Sequence, residues 1–435
     1  MPDLPRTAAG SGPSTLLEGS HGGFPDHDVA VIGGGVAGLS VAWRTARRGL
    51  SVVVVDPGPG SGATHASAGM LAPVSEVTYT EEPLLRLGLA SLAMWPAFRA
   101  DLEGESGEDL DYRTDGTLDV AYGADDMAYL DALASFEESL GLRVERLTGR
   151  QCRALEPMLS PSVRGGLLAR DDAWVNPRRV VSALLTALAK AGGTVVAEHA
   201  DGLAFAGDRV VGVRLASGRI VGATSVVVAA GPWSPSFVPG LPVRPVKGQI
   251  LRLRGPEGFL TRCVRGLVHG APAYLVPRGD GEITVGATME EMGFDGRVTA
   301  GGVYELLRDA RELVPGVTEL ELSETTVGFR PGTPDNLPLI GPLTGVRPDG
   351  PATPEPGGGP AATPEPAEGV HGASRPAVPE RLERGPRPPD LLVATGHHRA
   401  GVLLAPVTAD AVAAFLTGER VPEAVQSCDP GRFGR

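Results

Sequence analysis

The alternation of apolar and polar positions first defines one unit near the N-terminus. The run Asp28–Ile32 is short, apolar and β-branched, and Ser51–Val55 is a second run of the same kind. Between them, apolar residues recur at helical spacing from Leu39 to Ala46, and this pattern ends near Gly49. A strand, a helix and a strand in this order predict a parallel β-α-β unit.

Further along the chain, the same periodicities predict helices and strands in alternating groups. The predicted helices cover residues 81–110, Asp125–Leu140, Asn176–Ala191, Tyr304–Leu313 and a segment from Val402 onward. The predicted strands cover Tyr112–Tyr122, Thr194–Glu198, Val210–Leu215, Arg219–Val221, Ser225–Ala230, a run from Pro245, Ala273–Pro277, Glu282–Thr288 and Asp390–Ala394. Hairpin spacing after Pro245 indicates an antiparallel sheet. The length of 435 residues fits two interleaved domains.

Two segments lack any periodic apolar face. Residues 1–27 are rich in Gly, Pro and Ser and lack the apolar core of a signal peptide, so we predict a disordered tail. Residues 345–389 contain 12 Pro and 8 Gly, and the sequence ATPEP occurs there twice. Such a segment buries too little surface to offset its ordering entropy, which predicts a disordered insertion. A role as a proline-rich ligand is the alternative.

Composition excludes several classes of protein. The net charge of −13 offers no basic face to nucleic acid or to an anionic membrane. No apolar run approaches the roughly 18 residues of a membrane span. The three cysteines, Cys152, Cys263 and Cys428, are far apart and odd in number. They offer no metal-site spacing and indicate a reducing cytoplasm.

The first unit also carries candidate chemistry. Gly33, Gly35 and Gly38 form G-x-G-x-x-G between the first strand and the helix. In this motif the first glycine allows the tight turn, the second lets backbone approach a pyrophosphate, and the third lets the helix pack against the strand. Asp56 ends the second strand, where a carboxylate accepts hydrogen bonds from a ribose and disfavours a 2′-phosphate. The unit predicts an adenine dinucleotide site, with NAD and FAD equally compatible; a β-α-β unit that binds nothing is the alternative.

A second region, residues 57–74, decides between these cofactors. It is a loop of small residues that contains T-x-A-S-A-G-M-L from Thr64 to Leu71. The β-α-β unit followed by this loop resembles the D-amino-acid oxidase family of FAD enzymes, and most of all its glycine oxidase branch, which serves thiamine synthesis. The resemblance implies noncovalent FAD, because none of the cysteines lies near the late turn that carries a covalent flavin in some sarcosine oxidases.

The resemblance implies an α/β fold, α+β overall. It consists of a Rossmann-like FAD-binding domain interleaved with an antiparallel-sheet substrate domain. The expected FAD-binding segments are residues 28–80, 148–243, 326–344 and 390–425, and the expected substrate-domain segments are residues 81–147 and 244–325.

The cofactor residues expected from the resemblance come from the first unit, the small-residue loop, the turn after the strand Ser225–Ala230, and a second glycine-bearing turn, G-H-H-R-A-G. These are Gly33, Gly35, Val36, Gly38, Asp56, Thr64, Ser67, Gly69, Met70, Leu71, Gly231, His398, Arg399, Ala400, Gly401, Val402, Leu403 and Leu404. The second turn is expected to open a helix whose N-terminus faces the flavin pyrimidine. His397 and His398 are as compatible with structural as with catalytic roles.

Arg330 is the principal candidate for binding substrate. It precedes Pro331-Gly332 on stiff backbone, and its planar fork suits a carboxylate. It matches the carboxylate-binding arginine of the family, and Tyr274, Met289 and Arg399 match family positions that line the same pocket. A surface arginine, a core tyrosine and a packing methionine are the alternative interpretations.

The function expected from this resemblance is oxidation of glycine, sarcosine and small D-amino acids by hydride transfer to FAD, with dioxygen as acceptor. Its products are an imine that hydrolyses or enters thiazole synthesis, and hydrogen peroxide. Family members are often homotetramers, so a homo-oligomer is expected. A related D-amino-acid or sarcosine oxidase or dehydrogenase, and a non-catalytic flavoprotein scaffold, are the alternatives.

Overall fold

The structure is a computed structural model, and it describes residues 26–347 and 388–434. The predicted tail, 1–27, and the predicted insertion, 345–389, therefore lie almost entirely outside the described residues. His27 belongs to the first strand, so the first domain begins one residue earlier than expected.

The secondary structure alternates along the chain much as the periodicities predict. The strands of the described residues are β1 (His27–Ile32), β2 (Val52–Val55), β3 (Met70–Leu71), β4 (Thr117–Ala121), β5 (Glu145–Thr148), β6 (Gly165–Ala169), β7 (Ala173–Trp174), β8 (Thr194–Val196), β9 (Ala200–Ala206), β10 (Arg209–Leu215), β11 (Ile220–Val228), β12 (Arg244–Arg254), β13 (Cys263–Val268), β14 (Ala271–Pro277), β15 (Glu282–Gly286), β16 (Glu321–Gly332), β17 (Leu339–Pro342) and β18 (Leu391–Thr395). The helices are α1 (Val36–Ala46), α2 (Ala63–Ala66), α3 (Glu82–Ser106), α4 (Ala124–Ser139), α5 (Gly149–Leu155), α6 (Pro177–Lys190), α7 (Ser234–Phe237), α8 (Ala300–Leu313) and α9 (Ala405–Thr417).

The first sheet contains the predicted β-α-β unit. Its strand order is β17-β18-β11-β1-β2-β8, with β9 and β10 continuing from β11 as a meander. Strands β18, β11, β1, β2 and β8 are parallel. Val29 and Val31 face a core shared with α1, α3, α6 and α9, whereas Ala30 and Ile32 face a second core beneath the meander. Because both faces are covered at the centre of the sheet, β2 and β18 and the buried halves of β1 and β11 are mostly apolar, whereas the edge strand β8 is exposed.

The second sheet forms the other half of the molecule. Its order is β16-β12-β15-β14-β13-β4-β6-β5, and helix α8 packs against the core on one face. Neighbouring strands are antiparallel, as predicted, except for the parallel pair β13 and β4. The predicted α/β class is confirmed by this architecture.

Two expected domain boundaries differ from the strand pairing. Strand β6 lies within the expected FAD-binding segment 148–243, but it pairs with β4 and β5 of the second sheet. Strand β16 pairs with β12 as far as Gly332, so residues 326–332 also belong to the second sheet. An apolar strand such as β6 suits either sheet, and only its hydrogen-bond partners decide between them.

Two predicted elements begin several residues later than expected. The strand predicted over Tyr112–Tyr122 begins only at Thr117, because Gly116 adopts a φ of +84°. The helix predicted from Val402 begins at Ala405, after a 3₁₀ turn over His398–Ala400. Pro406 lies in the first helical turn, where proline is tolerated. The G-H-H-R-A-G segment is therefore a tight turn and not the first turn of a helix.

None of the helices in the described part of the chain is long and apolar enough to cross a membrane.

Candidate active site

A cavity of about 1050 Å³ lies between the two sheets and collects most of the predicted site residues. The predicted residues that line it are Gly33, Gly35, Val36, Asp56, Thr64, Ser67, Gly69, Met70, Gly231, Tyr274, Met289, Arg330, His398, Arg399, Gly401 and Val402. One end is formed by the first glycine turn and the other by strands of the second sheet. The cavity is large enough for an extended ligand together with a small one.

The glycine turn fits its predicted mechanical roles. Gly33 adopts a φ of +106°, and a Cβ there would lie 2.5 Å from the Ala229 carbonyl oxygen. A Cβ on Gly38 would lie 2.0 Å from the Gly33 carbonyl oxygen, so this glycine permits close packing beneath the cavity wall. Gly35 is different, because its Cβ would meet only Thr64 Oγ1 at 3.5 Å. Its missing side chain leaves open space for a ligand.

Asp56 and Thr64 fix the backbone around this turn. Asp56 lies at the end of β2 and accepts hydrogen bonds from the backbone N–H groups of Gly34 (2.6 Å) and Gly58 (2.7 Å). Thr64 accepts a hydrogen bond from the Val36 N–H at 3.1 Å. These contacts join the first unit to the small-residue loop, and both side chains line the cavity.

The small-residue loop allows the second sheet to approach closely. A Cβ on Gly328 of β16 would lie only 2.7 Å from the Ala66 Cβ. Ser67 accepts a hydrogen bond from the Gly69 N–H at 3.1 Å, which stabilises the turn before β3. The small side chains thus let β16, which carries Arg330 two residues beyond Gly328, pack against the small-residue loop.

Five predicted cofactor residues do not line the cavity. Gly38 lies under the turn, and the side chains of Leu71, Ala400, Leu403 and Leu404 are buried in the core of the first sheet. Their assignment as cofactor-binding residues stays a prediction, because a residue whose side chain lies in the core can still present its backbone atoms to a ligand. The Leu403 carbonyl accepts hydrogen bonds from Ser91 and Trp95 of α3.

Arg330 lies at the substrate end, and its position depends on a glycine in the neighbouring strand. A Cβ on Gly248 would lie 2.3 Å from Arg330 Nη1, so the guanidinium lies flat across β12. Nη1 donates a hydrogen bond to the Thr288 carbonyl at 3.2 Å. This contact engages one nitrogen of the planar fork and fixes the orientation of the whole group.

Tyr274 lies next to Arg330 on the same wall. Its ring covers Gly286, where a Cβ would lie 2.4 Å from the phenol oxygen. Burial raises the pKa of Tyr274, although the hydrogen bond and charge of Arg330 oppose the shift. The phenol is therefore protonated at neutral pH and lies close to the guanidinium.

Met289 lies at the mouth of the cavity and is 65% exposed. Trp233, which also lines the cavity, stacks on Phe294 with ring centroids 5.2 Å apart. Phe329 contacts both rings edge-on. These aromatic residues were not among the predicted site residues, since Trp233 and Phe294 occur singly outside strands and long helices, and Phe329 lies in a strand, where aromatic residues are common.

Arg399 lines the cavity but is engaged in an ion pair. It donates hydrogen bonds to the Glu81 carboxylate and to the Glu76 carbonyl, the latter at 3.3 Å. Burial tends to raise the pKa of Glu81, but its hydrogen bond from Arg399 holds the pKa below the usual value. Arg399 therefore connects the late turn to the loop before α3.

The two histidines of the late turn are both neutral at pH 7. Burial lowers the pKa of His397 to about 4, and its Nε2 lies 2.9 Å from the Thr408 hydroxyl. Burial and the charges of Arg399 and Arg330 lower the pKa of His398 to about 4. His398 adopts a φ of +46°, and its buried Nδ1 has no hydrogen-bond partner among the described residues. An unpaired buried polar atom beside a cavity suits a ligand that supplies the partner.

Three charged residues at the substrate end were also missed. Arg265, Glu76 and Asp119 line the cavity, although they come from distant parts of the chain. The available signal was a single charge within an apolar strand, as in the sequence CVRGLV of β13. No cluster of His, Cys, Asp or Glu suited to a metal occurs in residues 26–347 and 388–434.

Comparison with known proteins identifies the family. The sequence profile of the DAO family, described as FAD dependent oxidoreductase, matches residues 28–415. The glycine oxidase of Geobacillus kaustophilus is 32% identical over 388 residues, covering 88% of this chain and 90% of that protein. The crystal structure of glycine oxidase from the same organism superimposes with a TM-score of 0.78 at 28% identity, covering 93% of this chain and 98% of that one.

Two further relatives carry names connected with the same family. The bifunctional protein ThiO/ThiG of Trichormus variabilis is 32% identical over 407 residues, covering 90% of this chain. This chain spans about half the length of that relative, 53%. A putative thiamine biosynthesis oxidoreductase ThiO of Rhizobium etli is 34% identical over 319 residues, covering 72% of this chain and 86% of that protein.

The family resolves the choice between NAD and FAD, which the glycine motif had left open. With a profile match over residues 28–415, the chain belongs to the DAO family of FAD dependent oxidoreductases.

Proposed function

We propose that this protein is an FAD-dependent oxidase of glycine, sarcosine and small D-amino acids. The observation that carries the proposal is Arg330, a guanidinium fixed flat over Gly248 beside Tyr274 in the cavity that begins at the glycine turn. The names of the relatives support the same substrate class. A related D-amino-acid or sarcosine oxidase or dehydrogenase is the alternative.

The cavity suits FAD at its cofactor end. The open space at Gly35 admits a pyrophosphate, and Asp56 lies where a ribose would be bound. Gly231, His398 and Gly401 line the part of the cavity that approaches Arg330. When bound, the flavin supplies a hydride acceptor, which is chemistry that side chains lack. The three cysteines are buried and free, and none lines the cavity, so noncovalent binding is proposed.

Arg330 and Tyr274 orient the substrate in this proposal. The guanidinium binds the substrate carboxylate with its planar fork, and the Tyr274 hydroxyl donates a hydrogen bond to the same group. These contacts fix the Cα–H bond relative to the cofactor end, so that orientation supplies much of the rate enhancement. The substrate amine loses its ammonium proton before oxidation, and His398 stays neutral throughout.

The overall reaction consumes glycine, dioxygen and water and yields glyoxylate, ammonia and hydrogen peroxide. The imine that precedes glyoxylate is the alternative product, and the relatives named ThiO support its use in thiamine biosynthesis. We also propose a homo-oligomer, such as the tetramer that the family resemblance implies, working in the cytoplasm. The free cysteines support a reducing compartment.

Anaerobic titration of the FAD-loaded protein tests the proposal. Glycine, sarcosine, D-alanine and D-proline are added in turn, and the oxidised flavin absorption is followed. We expect bleaching by at least glycine or sarcosine, and recovery with formation of hydrogen peroxide on exposure to air. A flavin that stays oxidised with every substrate contradicts the proposal and favours a scaffold. Bleaching without recovery in air favours a dehydrogenase. Acid precipitation that leaves yellow colour in the pellet contradicts noncovalent FAD.

A further inference from the structure

Three charged or polar side chains form a row across the second sheet. Tyr274 of β14 is the register partner of Arg265 in β13, and Arg265 is the register partner of Asp119 in β4. Register partners point to the same face of a sheet, with Cβ atoms about 4.5–5.5 Å apart. All three side chains line the cavity, so the row begins beside Arg330, which we call the clamp, and extends away from it across the second sheet.

Two carboxylates lie close to the Arg265 guanidinium. Arg265 Nε lies 3.8 Å from Asp119 Oδ2, and Arg265 Nη1 lies 3.9 Å from Glu76 Oε1. The Ser75 hydroxyl accepts a hydrogen bond from Nη1 at 3.4 Å. The exposed fractions of the arginine, Glu76 and Asp119 side chains are only 17%, 22% and 13%. We call Arg265, Glu76 and Asp119 the acidic-end cluster.

The cluster lies where the remainder of a bound substrate would extend. Tyr274 contacts Arg330, which binds the α-carboxylate in the proposed function, and Arg265 is the next residue along the row. Tyr129 and Leu133 of α4 line the cavity with the cluster and limit its size. A substituent on the substrate nitrogen or Cα would therefore approach Arg265 and its two carboxylates.

Resting on the proposed function, we infer that the acidic-end cluster determines substrate specificity by excluding a second carboxylate. Glu76 and Asp119 lie 3.9 and 3.8 Å from Arg265, and when both are ionised the cluster carries two negative charges against one positive charge. Burial raises the pKa of Asp119 and the charge of Arg265 opposes this shift, so the repulsion is strongest where both carboxylates are ionised. A second substrate carboxylate would meet two like charges in a site of low exposure, where screening is weak. A methyl group or hydrogen meets no such repulsion. The cavity accordingly accepts sarcosine and D-alanine and rejects iminodiacetate and D-aspartate.

Removing the carboxylates should invert this preference. In the E76Q/D119N variant, Arg265 keeps its position but loses both charged partners, so that it becomes a second carboxylate site. In the E76Q/D119N/R265Q variant, the gained affinity for a second carboxylate should disappear again, because the Arg265 guanidinium is removed. E76Q alone alters only a loop residue, and it provides the same test if the double variant does not fold.

Binding of ligands that cannot be oxidised measures the preference without turnover. Methoxyacetate and diglycolate differ only by the second carboxylate, and calorimetry with the FAD-loaded protein gives both dissociation constants. In the wild type we expect methoxyacetate to bind more tightly by about tenfold or more, equivalent to about 1.4 kcal/mol. In E76Q/D119N the ratio should fall by about tenfold or more. The kcat/KM ratio of sarcosine to iminodiacetate should follow the same order.

A carboxylate in the same sheet provides the matched control. Glu282 pairs with the buried Arg252 at 2.7 Å, and neither residue lines the cavity. The E282Q variant should therefore leave the ligand ratio unchanged. Circular dichroism and thermal unfolding establish that each variant is folded.

The outcomes separate this inference from the proposed function. If the wild type binds diglycolate as tightly as methoxyacetate, or if the ratio is the same in E76Q/D119N, the role of the cluster is overturned while the clamp stands. If the wild type binds neither ligand, the clamp on Arg330 fails and both proposals fall with it.

Discussion

The two ends of the cavity are built in different ways. The cofactor end comes mainly from one continuous stretch, residues 33–70, in which glycines and small residues place backbone around a ligand. The substrate end comes from side chains on separate strands, with Arg330 on β16, Tyr274 on β14 and Arg265 on β13. Local backbone geometry thus forms one end and long-range strand register forms the other. Substitutions at the cofactor end should therefore affect stability and FAD binding, whereas substitutions at the substrate end should affect the kinetics.

The largest effect is expected at the clamp. Arg330→Ala should lose about 3–5 kcal/mol of transition-state stabilisation, since it leaves the substrate carboxylate without its partner. This corresponds to a loss of about a hundred- to several-thousand-fold in kcat/KM for glycine. FAD content should stay normal, because Arg330 lies at the opposite end from the glycine turn. Arg254→Ala, an exposed arginine in the same sheet, is the control. Near-normal kinetics in Arg330→Ala would remove this residue from the site.

The next largest effect is the loss of stability at acid pH that is expected from His397, which lines the cavity. Its pKa is near 4 in the folded protein, against an ordinary value of 6.5, because burial disfavours the charged form. The unfolded chain therefore binds the extra proton first, and stability is fully present above about pH 6.5 and declines as the pH falls toward 4. The loss amounts to about 3 kcal/mol, at about 1.36 kcal/mol per pKa unit.

Denaturant unfolding at several pH values measures this contribution of His397. In His397→Gln, the loss of stability between neutral and acid pH should be smaller than in the wild type. His269→Gln, at an exposed histidine, serves as the control. Equal acid sensitivity of the His397→Gln variant and the wild type would show that burial of His397 does not contribute.

Substitutions at two glycines of the G-x-G-x-x-G motif should have separate effects, one on folding and the other on cofactor binding. Gly38→Ala forces a Cβ to within 2.0 Å of a backbone oxygen and should destabilise the protein by about 1–3 kcal/mol or more. Gly35→Ala fits the protein without a clash, because its Cβ has 3.5 Å of space. It should leave the stability of the FAD-free protein unchanged and weaken FAD binding. Thermal unfolding and flavin titration measure the two effects; the reverse pattern would contradict the assigned roles.

The smallest effect is expected for the Tyr274 hydroxyl. Tyr274→Phe removes one hydrogen bond of about 0.5–1.5 kcal/mol, which raises KM for glycine by up to about tenfold. The aromatic ring and its packing over Gly286 are retained. Tyr304→Phe, at a tyrosine that is 65% exposed, should leave the kinetics unchanged. An unaltered KM in Tyr274→Phe would limit the role of this residue to packing.

Features that depend on neighbours in the chain were predictable from the sequence. The β-α-β unit and the shape of its glycine turn follow from residues 28–56. The extent of the late helix was wrong, since Pro406 and the preceding 3₁₀ turn delay its start to Ala405. Leu71 and Leu404 remain predicted cofactor residues. Their positions beside the site are close in sequence, but their side chains point into the core.

The sequence by itself determined the cofactor end, because glycines at fixed spacing restrict backbone conformation wherever the unit folds. Only the tertiary structure decided the substrate end. Whether β6 joined one sheet or the other depended on its pairing with β4 and β5. Whether Arg265 met Asp119 depended on the register of two strands whose paired residues are 146 positions apart in the chain (265 − 119). Apolar strands are compatible with many partners, so their pairing is set by the packing of the whole molecule.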